Sequence, residues 1–351
     1  MTWPNRAFLD LVGTEHPIIQ APMANAGGVD LCVAAIAGGA LGSLPCGMLS
    51  PEQAREQAGQ VRVRAKAPLN LNFLCRAAPE TADDSAWRAL LKPYLDEFGL
   101  GDPPPAPSRT PFDDAACELV EALSPEVVSF HFGLPDESLL ARVRAAGAKV
   151  ISTATTVAEA QWLERRGVDA VIAQGFEAGG HNGRFLGDDP AEALTLLALL
   201  PQVVDAVRVP VIAAGGIGDS RGIAAAFTLG ASAVQLGTAY LHCPESLLPH
   251  GHRMMLKVRP TVMTNLYSGG LARAVRGRFV DQLGPIRAEA PPYPVAGAVS
   301  VPLFRAAVER GEYDFMPSLA GQAAPLGLPL GAAELTRKLA GEALAILSRA
   351  A

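Results

Sequence analysis

Residues 210–238 read PVIAAGGIGDSRGIAAAFTLGASAVQLGT, and the fold turns on how this stretch is read. Two short apolar runs, 210–214 and 233–236, enclose a helix-patterned segment at 220–229, and each run ends in glycine. Apolar strands bracketing a helix imply a parallel sheet covered on both faces. Six more such runs precede this unit, at 17–21, 41–45, 68–73, 127–131, 149–153 and 170–174. Helical patterns at 136–146, 156–166 and 191–206 lie between them, and most close on a Gly-Ala or Gly-Val pair that stops the helix. Eight strands in this alternation predict an α/β fold of the (β/α)8 TIM-barrel type. An open doubly wound sheet is the competing arrangement. A dinucleotide-binding version would show G-x-G-x-x-G after its first strand, whereas Gln20 is followed by Ala21-Pro22-Met23-Ala24.

The rhythm breaks at 240–327, a segment rich in Pro, Arg and Met without a convincing apolar strand. It reads as a mostly helical cap inserted after the last strand, with a final helix at 332–349 completing the barrel. The expected division is a barrel of 1–239 plus 328–351 and a cap of 240–327. Residues 92–112 include Asp102-Pro103-Pro104-Pro105-Ala106-Pro107 and read as an irregular surface loop between the third and fourth strands.

Composition narrows the function. The chain has 351 residues, with 29 Lys+Arg against 35 Asp+Glu for a net charge of −6, and 49% hydrophobic residues, which suits a large core and excludes disorder. Without a basic stripe there is no electrostatic footprint for nucleic acid. The uncharged run 31–51 is long enough to cross a bilayer, but four glycines and Pro45 interrupt it, so a buried helix followed by a short strand is expected and no membrane span. Five scattered cysteines, with no C-x-x-C pair, and no signal-peptide core in residues 1–10 point to a reducing cytoplasm.

A barrel carries its chemistry at the C-terminal ends of its strands. Gly215-Gly216-Ile217-Gly218-Asp219-Ser220 follows the seventh strand and Gly237-Thr238 the eighth, where backbone N–H groups can approach a phosphate; turn glycines alone are the plainer reading. The sixth strand runs into Ala178-Gly179-Gly180-His181-Asn182-Gly183, placing an imidazole on flexible, exposed backbone: a candidate base, or a surface histidine without a role. His131 ends the fourth strand and reads as a supporting residue. His242, Cys243, His250 and His252 match no established zinc spacing, so no metal is expected. No G-x-S-x-G elbow stands at a strand end, which argues against a hydrolase. Residues 245–287 hold seven basic side chains against Glu245 and Asp281. They form ion pairs with the acidic barrel or a subunit interface, or they gather anionic substrates over the mouth.

Gln20 to Met23, Asn70 to Phe73, Ser129 to Pro135, Ala173 to Gly175 with Glu177 to Gly183, Ala213 to Ile217 and Gln235 to Thr238 together resemble the nitronate monooxygenases, in particular their class I branch. The resemblance implies a non-covalent FMN contacted by Ala21, Pro22, Met23, Asn72, Gln174, Gly179, Gly180, Gly215, Gly216, Gln235, Leu236, Gly237 and Thr238. It further implies His181 as catalytic base beside flavin and substrate, and His131, Tyr267 and Tyr293 on the substrate side. The implied reaction is oxidation of an alkyl nitronate by dioxygen to a carbonyl compound and nitrite, with a homodimer as a compatible assembly. Two departures bear on the substrate: Gly297 and Val301 stand where the class I pattern has an aromatic residue and a lysine. An FMN-dependent enoyl-ACP reductase using NAD(P)H, and a flavin-binding protein without turnover, are the alternatives.

Overall fold

The structure is a computed structural model that describes residues 2–79, 82–104, 111–187, 192–316 and 318–350. Eight strands, β1 (Ile18–Gln20), β2 (Gly42–Pro45), β3 (Leu69–Leu74), β4 (Val127–His131), β5 (Lys149–Ala154), β6 (Ala170–Gln174), β8 (Val211–Ala214) and β9 (Ala233–Leu236), form one parallel sheet in the order β1-β9-β8-β6-β5-β4-β3-β2. The Gln20 N–H donates to the Leu41 carbonyl at 3.0 Å and the Leu41 N–H to the Ile18 carbonyl at 2.9 Å, which joins the two edges into a nearly closed (β/α)8 barrel. All eight strands coincide with the apolar runs of the sequence to within a residue or two.

Helices cover the outside. Ser50 caps Pro51–Arg64 in a reciprocal box with Gln53, and the side chains of Asp113, Thr156 and Asp219 cap Asp114–Leu123, Val157–Arg165 and Ser220–Thr228. The uncharged run forms the helix Val29–Ala37 and then β2, and among the described residues no helix is long and apolar enough to cross a membrane. The terminal helix Ala332–Ala350 packs against Val29–Ala37 and Ser220–Thr228.

Along the barrel axis the interior changes character. At its base Ile19, Leu41, Val127, Ile151, Ala170, Ile212 and Ala233 meet Phe8 and Val12 of the helix Ala7–Val12 in a closed apolar plug. Side chains alternate in a strand, so the next inward positions toward the C-terminal ends are Ser129 and His131 on β4, Thr153 on β5, Gln174 on β6 and Gln235 on β9. The sequence therefore puts a dry stopper at one end of the barrel and a polar mouth at the other.

Two expectations change. Residues 240–327 contain strands after all: β10 (Thr261–Thr264) pairs antiparallel with β11 (Ala272–Val275), and β11 pairs with β7 (Gly180–His181) from the loop after β6. The segment 92–112 is not irregular from its start, because Ser85–Glu97 is a helix that includes Pro93; residues 105–110 lie outside the described residues. Trp87, Leu91, Leu95 and Phe98 from this region join Leu266, Phe279, Leu303, Phe304 and Phe315 in a second apolar cluster, and the Trp87 indole N–H donates to the Ala296 carbonyl at 3.2 Å. The core over the mouth is thus built by two separate parts of the chain.

Candidate active site

Gln174, at the end of β6, organises the loop that carries His181. Its Nε2 donates to the His181 carbonyl at 3.1 Å and its Oε1 accepts from the Gly183 N–H at 2.7 Å. One amide hydrogen and one lone pair remain for another partner. His181 itself belongs to β7, paired with Ala272 of β11. The glycine-rich backbone expected to be flexible is therefore pinned into a sheet, and His181 is half-buried. Its Nε2 lies 2.7 Å from the Ser268 hydroxyl, and its ring meets Tyr293 edge-on at 5.2 Å and Phe132 at 6.2 Å.

His131 stands beneath. Its Nε2 lies 3.3 Å from the His181 carbonyl and its Nδ1 3.2 Å from the Thr153 hydroxyl. Burial pushes its pKa down to about 4, partly opposed by the His181 carbonyl, so the ring is neutral near pH 7 and fits as donor to that carbonyl and acceptor from Thr153. A histidine whose pKa is lower folded than unfolded costs stability as pH falls from about 6.5 toward 4, because the unfolded chain binds the proton first. Burial lowers His16, His242 and His252 in the same sense. We expect melting temperature to fall across this window and the slope to be shallower in His131→Asn; an equal slope would remove His131 from the account.

Phe132 has a left-handed backbone, φ 67°, unusual for a bulky residue, and Gly133 follows at φ 91°. This bend turns the Phe132 ring onto Tyr293 at 5.4 Å. The Arg76 guanidinium, just past β3, lies 5.7 Å from the Phe132 centroid and 6.0 Å from that of Tyr293. Sequence reading missed Arg76, Phe132, Thr153 and Ser268 as site residues. Of these only Phe132 carried a local signal, the bulky residue before a glycine at a strand end.

Tyr267 does not join this group. Its ring is stacked on Phe279 at 6.2 Å and meets Phe304 at 5.4 Å in the second apolar cluster, and burial raises its phenol pKa. Ser268, the next residue, is the one that reaches His181. The gathered-cation reading also loses its main residue, since Arg273 is 3% exposed and donates from Nε and Nη2 to the Phe176 carbonyl at 3.1 and 3.0 Å. Arg276 pairs with Asp281, and Arg278 with Glu97 and Glu312. Arg273→Ala should therefore lower the melting temperature and leave the salt dependence of kcat/KM unchanged; a flattened salt dependence would restore the steering role.

On the far side of the mouth lies a cradle. Gly215 and Gly216, at φ 104° and 69°, turn the chain after β8, and their N–H groups donate to no backbone carbonyl among the described residues. A Cβ at Gly179 would overlap the Gly321 backbone, while around Gly237 nothing approaches such an atom closer than 3.6 Å. The Thr238 hydroxyl accepts from the Gly321 N–H at 2.9 Å, and Gln322 N–H donates to the Glu177 carbonyl at 3.0 Å, so 321–322 straps the loop after β6 to the turn after β9. Between these walls the Gln235 Oε1 is buried with no hydrogen-bond partner among the described residues, and Asn72 anchors to Ser129 through Nδ2 at 3.0 Å. Ala21 N–H donates to Leu236 O at 2.9 Å and Gly27 N–H donates to Met23 O at 2.6 Å, which sets the Ala21-Pro22-Met23 turn against the same end of β9. His242 and His252 are engaged elsewhere, with Ala324 and Tyr313 carbonyls, both at 2.9 Å, and no grouping of three His, Cys, Asp or Glu able to hold a metal occurs among the described residues.

Known proteins are similar to this chain over nearly its full length. A nitronate monooxygenase of Paraburkholderia phytofirmans is 40% identical, covering 96% of this chain and 94% of its own, and one of Pseudomonas aeruginosa is 39% identical, covering 95% and 98%. A solved nitroalkane oxidase of Streptomyces ansochromogenes superposes with a TM-score of 0.92 at 35% identity, covering 98% of this chain and all of that one. The family profile described as nitronate monooxygenase matches residues 5–342, and the chain belongs to that family.

Proposed function

We propose that this enzyme uses FMN and dioxygen to oxidise alkyl nitronates, and nitroalkanes after deprotonation, to a carbonyl compound and nitrite. The observation that carries the reading is the placement of His181: strand-paired, hydrogen-bonded to Ser268 and walled by Phe132 and Tyr293 at the polar end of the barrel.

The residues fit the cofactor. The buried, unpartnered Gln235 Oε1 suits a polar heterocycle with a ring N–H, and the Gly215 and Gly216 N–H groups suit a single phosphate. Asn72, Gln174, Gly179, Gly180 and the Ala21-Pro22-Met23 and Gln235-Leu236-Gly237-Thr238 turns would complete the hold. Bound there, the flavin supplies electron transfer from nitronate to dioxygen.

The rest is the work of this chain. A ring nitrogen of His181 takes the Cα proton of a neutral nitroalkane, and the resulting imidazolium offers a hydrogen bond to the nitro oxygens. Ser268 fixes the ring plane. Phe132 and Tyr293 exclude water, which strengthens that hydrogen bond. The neutral His131 and Gln174 hold the His181 backbone by its carbonyl. A nitronate arrives already deprotonated and needs only the orienting part of this machinery. A net charge of −6 favours a small-molecule substrate over nucleic acid, and the five free cysteines favour a reducing compartment such as the cytoplasm.

Heat-released chromophore identifies the cofactor. One FMN per chain is expected, with one nitrite formed per nitronate consumed. FAD, or folded protein that stays colourless with added FMN, would overturn the assignment.

A further inference from the structure

The three turns that build the cradle are crossed by one more stretch of chain, 318–327. It departs from β11, where the Ser318 carbonyl accepts from the Val275 N–H at 2.8 Å and Leu319 bridges Ala274. The Gly321 N–H then reaches Thr238 after β9, and the Gln322 N–H reaches Glu177 after β6. At Gly218, after β8, an added Cβ would stand 2.9 Å from both the Ala323 carbonyl and the Leu326 Cβ, and one at Gly321 would stand 2.8 Å from the Glu177 carbonyl. Real side chains do not come that close, so glycine at these two places is what lets the backbones meet. The far end is tied down as well: His242 Nε2 donates to the Ala324 carbonyl at 2.9 Å, and the Lys257 ammonium to those of Pro325 and Gly327. One bond in this set is directional in a way that matters. A hydroxyl offers one hydrogen and two lone pairs. The Gly321 N–H takes a lone pair of Thr238 Oγ1, and the Thr238 hydrogen has no acceptor among the described residues.

We propose that residues 318–327 are a positioning strap for the cofactor phosphate: by fixing the Gly321 N–H on Thr238 Oγ1, they leave the Thr238 hydroxyl only its donor role and commit it to the anion in the cradle. The inference rests on the FMN reading and deepens it. A backbone N–H cannot accept, so the strapped hydroxyl has to point its hydrogen elsewhere, whereas without the strap it would rotate among solvent partners. The hydrogen bond it then makes is to a charged group, the stronger kind. The strap therefore acts on the phosphate and not on the ring system, and riboflavin, which has the same ring system without the phosphate, is indifferent to it.

The test is the ratio of FMN to riboflavin affinity, measured by titrating the flavin-free full-length chain with each flavin. Thr238→Val, which keeps the shape and removes the hydroxyl, should lower that ratio at least about tenfold, the smaller end of what a hydrogen bond to a charged group contributes. Gly218→Ala, whose Cβ pushes Ala323 and Leu326 away, should lower it about fivefold or more while riboflavin affinity stays within about twofold. In the double variant the ratio should fall no further than in Thr238→Val alone, because the strap acts through that hydroxyl. Melting temperatures establish that the variants are folded; if Gly218→Ala does not fold, Lys257→Met, which frees the outer end of the strap, is held to the same comparisons. An unchanged ratio in the strap variant, equal losses for FMN and riboflavin, losses that add fully to those of Thr238→Val, or a wild type that holds FMN no more tightly than riboflavin would overturn the strap. A wild type that binds neither flavin would instead overturn the cofactor assignment.

Discussion

His181→Asn is expected to retain FMN and to lose at least about a hundredfold in kcat/KM with neutral nitroalkanes, the lower end of what a positioned base contributes. Asparagine ends at the level of the imidazole Nδ1, short of the Nε2 that meets Ser268, and leaves the β7–β11 pairing untouched, since that pairing uses the backbone. Proton abstraction is lost and the backbone placement of the loop is kept. The same variant should consequently lose much less with preformed nitronates, and the ratio of the two losses isolates the base function from simple disruption. A nitroalkane rate unchanged by the substitution would remove His181 as the base, and equal losses with both substrates would make it an orienting residue only.

The largest expected effect on stability lies one shell away, at Glu159. This carboxylate is fully buried and accepts from the Thr155 N–H at 2.7 Å, the Thr155 hydroxyl at 2.8 Å, the Phe185 N–H at 2.6 Å and the Leu186 N–H at 2.9 Å. It therefore ties the end of β5 to the segment just beyond His181. Glu159→Ala leaves three backbone N–H groups without their acceptor, that of Thr155 in a buried position and those of Phe185 and Leu186 only partly covered, and we expect a loss of about 3 kcal/mol. Because Phe185 and Leu186 anchor the loop that begins at β7, nitroalkane turnover in folded Glu159→Ala should also fall. Chemical denaturation measures the first effect; a change below about 0.5 kcal/mol, the range of ordinary surface substitutions, would show that water replaces the carboxylate at no cost.

The barrel was legible because its information is local. Continuous apolar runs and glycine-ended helices each announce themselves within a dozen residues. β7 was not legible, because two residues, one of them glycine, form a strand only when Ala272 and Arg273 arrive from far along the chain. Its absence led to His181 being read as exposed and flexible. The helix Ser85–Glu97 was hidden by Pro93 and by the proline run after it, and its stability comes from Phe279, Phe304 and Phe315, distant in sequence. The same reason hid Ser268 and Arg76, whose significance lies entirely in reaching His181 and the Phe132–Tyr293 rings. Tyr267 and Ser268 share the turn after β10, closed by the Gly269 N–H donating to the Asn265 carbonyl at 2.9 Å, and there the tyrosine ring packs in the apolar cluster while the serine hydroxyl reaches His181.

The arginine-rich segment shows that a charge count leaves two readings open until geometry decides between them. An excess of basic residues over 245–287 left ion pairing and a field over the mouth as the two readings; Arg276 and Arg278 answer carboxylates, as the first expects, and Arg273 is a buried strut for the Phe176 carbonyl. Exposed pairs of that kind contribute little stability individually.

In the proposed reaction nitronates are the electron donors and dioxygen the acceptor. Anaerobic mixing of the purified, FMN-loaded enzyme with an alkyl nitronate should bleach the visible absorbance of the flavin, admission of oxygen should restore it, and NADH or NADPH should leave it unchanged. Rapid bleaching by NADH or NADPH with none by the nitronate would contradict the account and assign the barrel to a reductase.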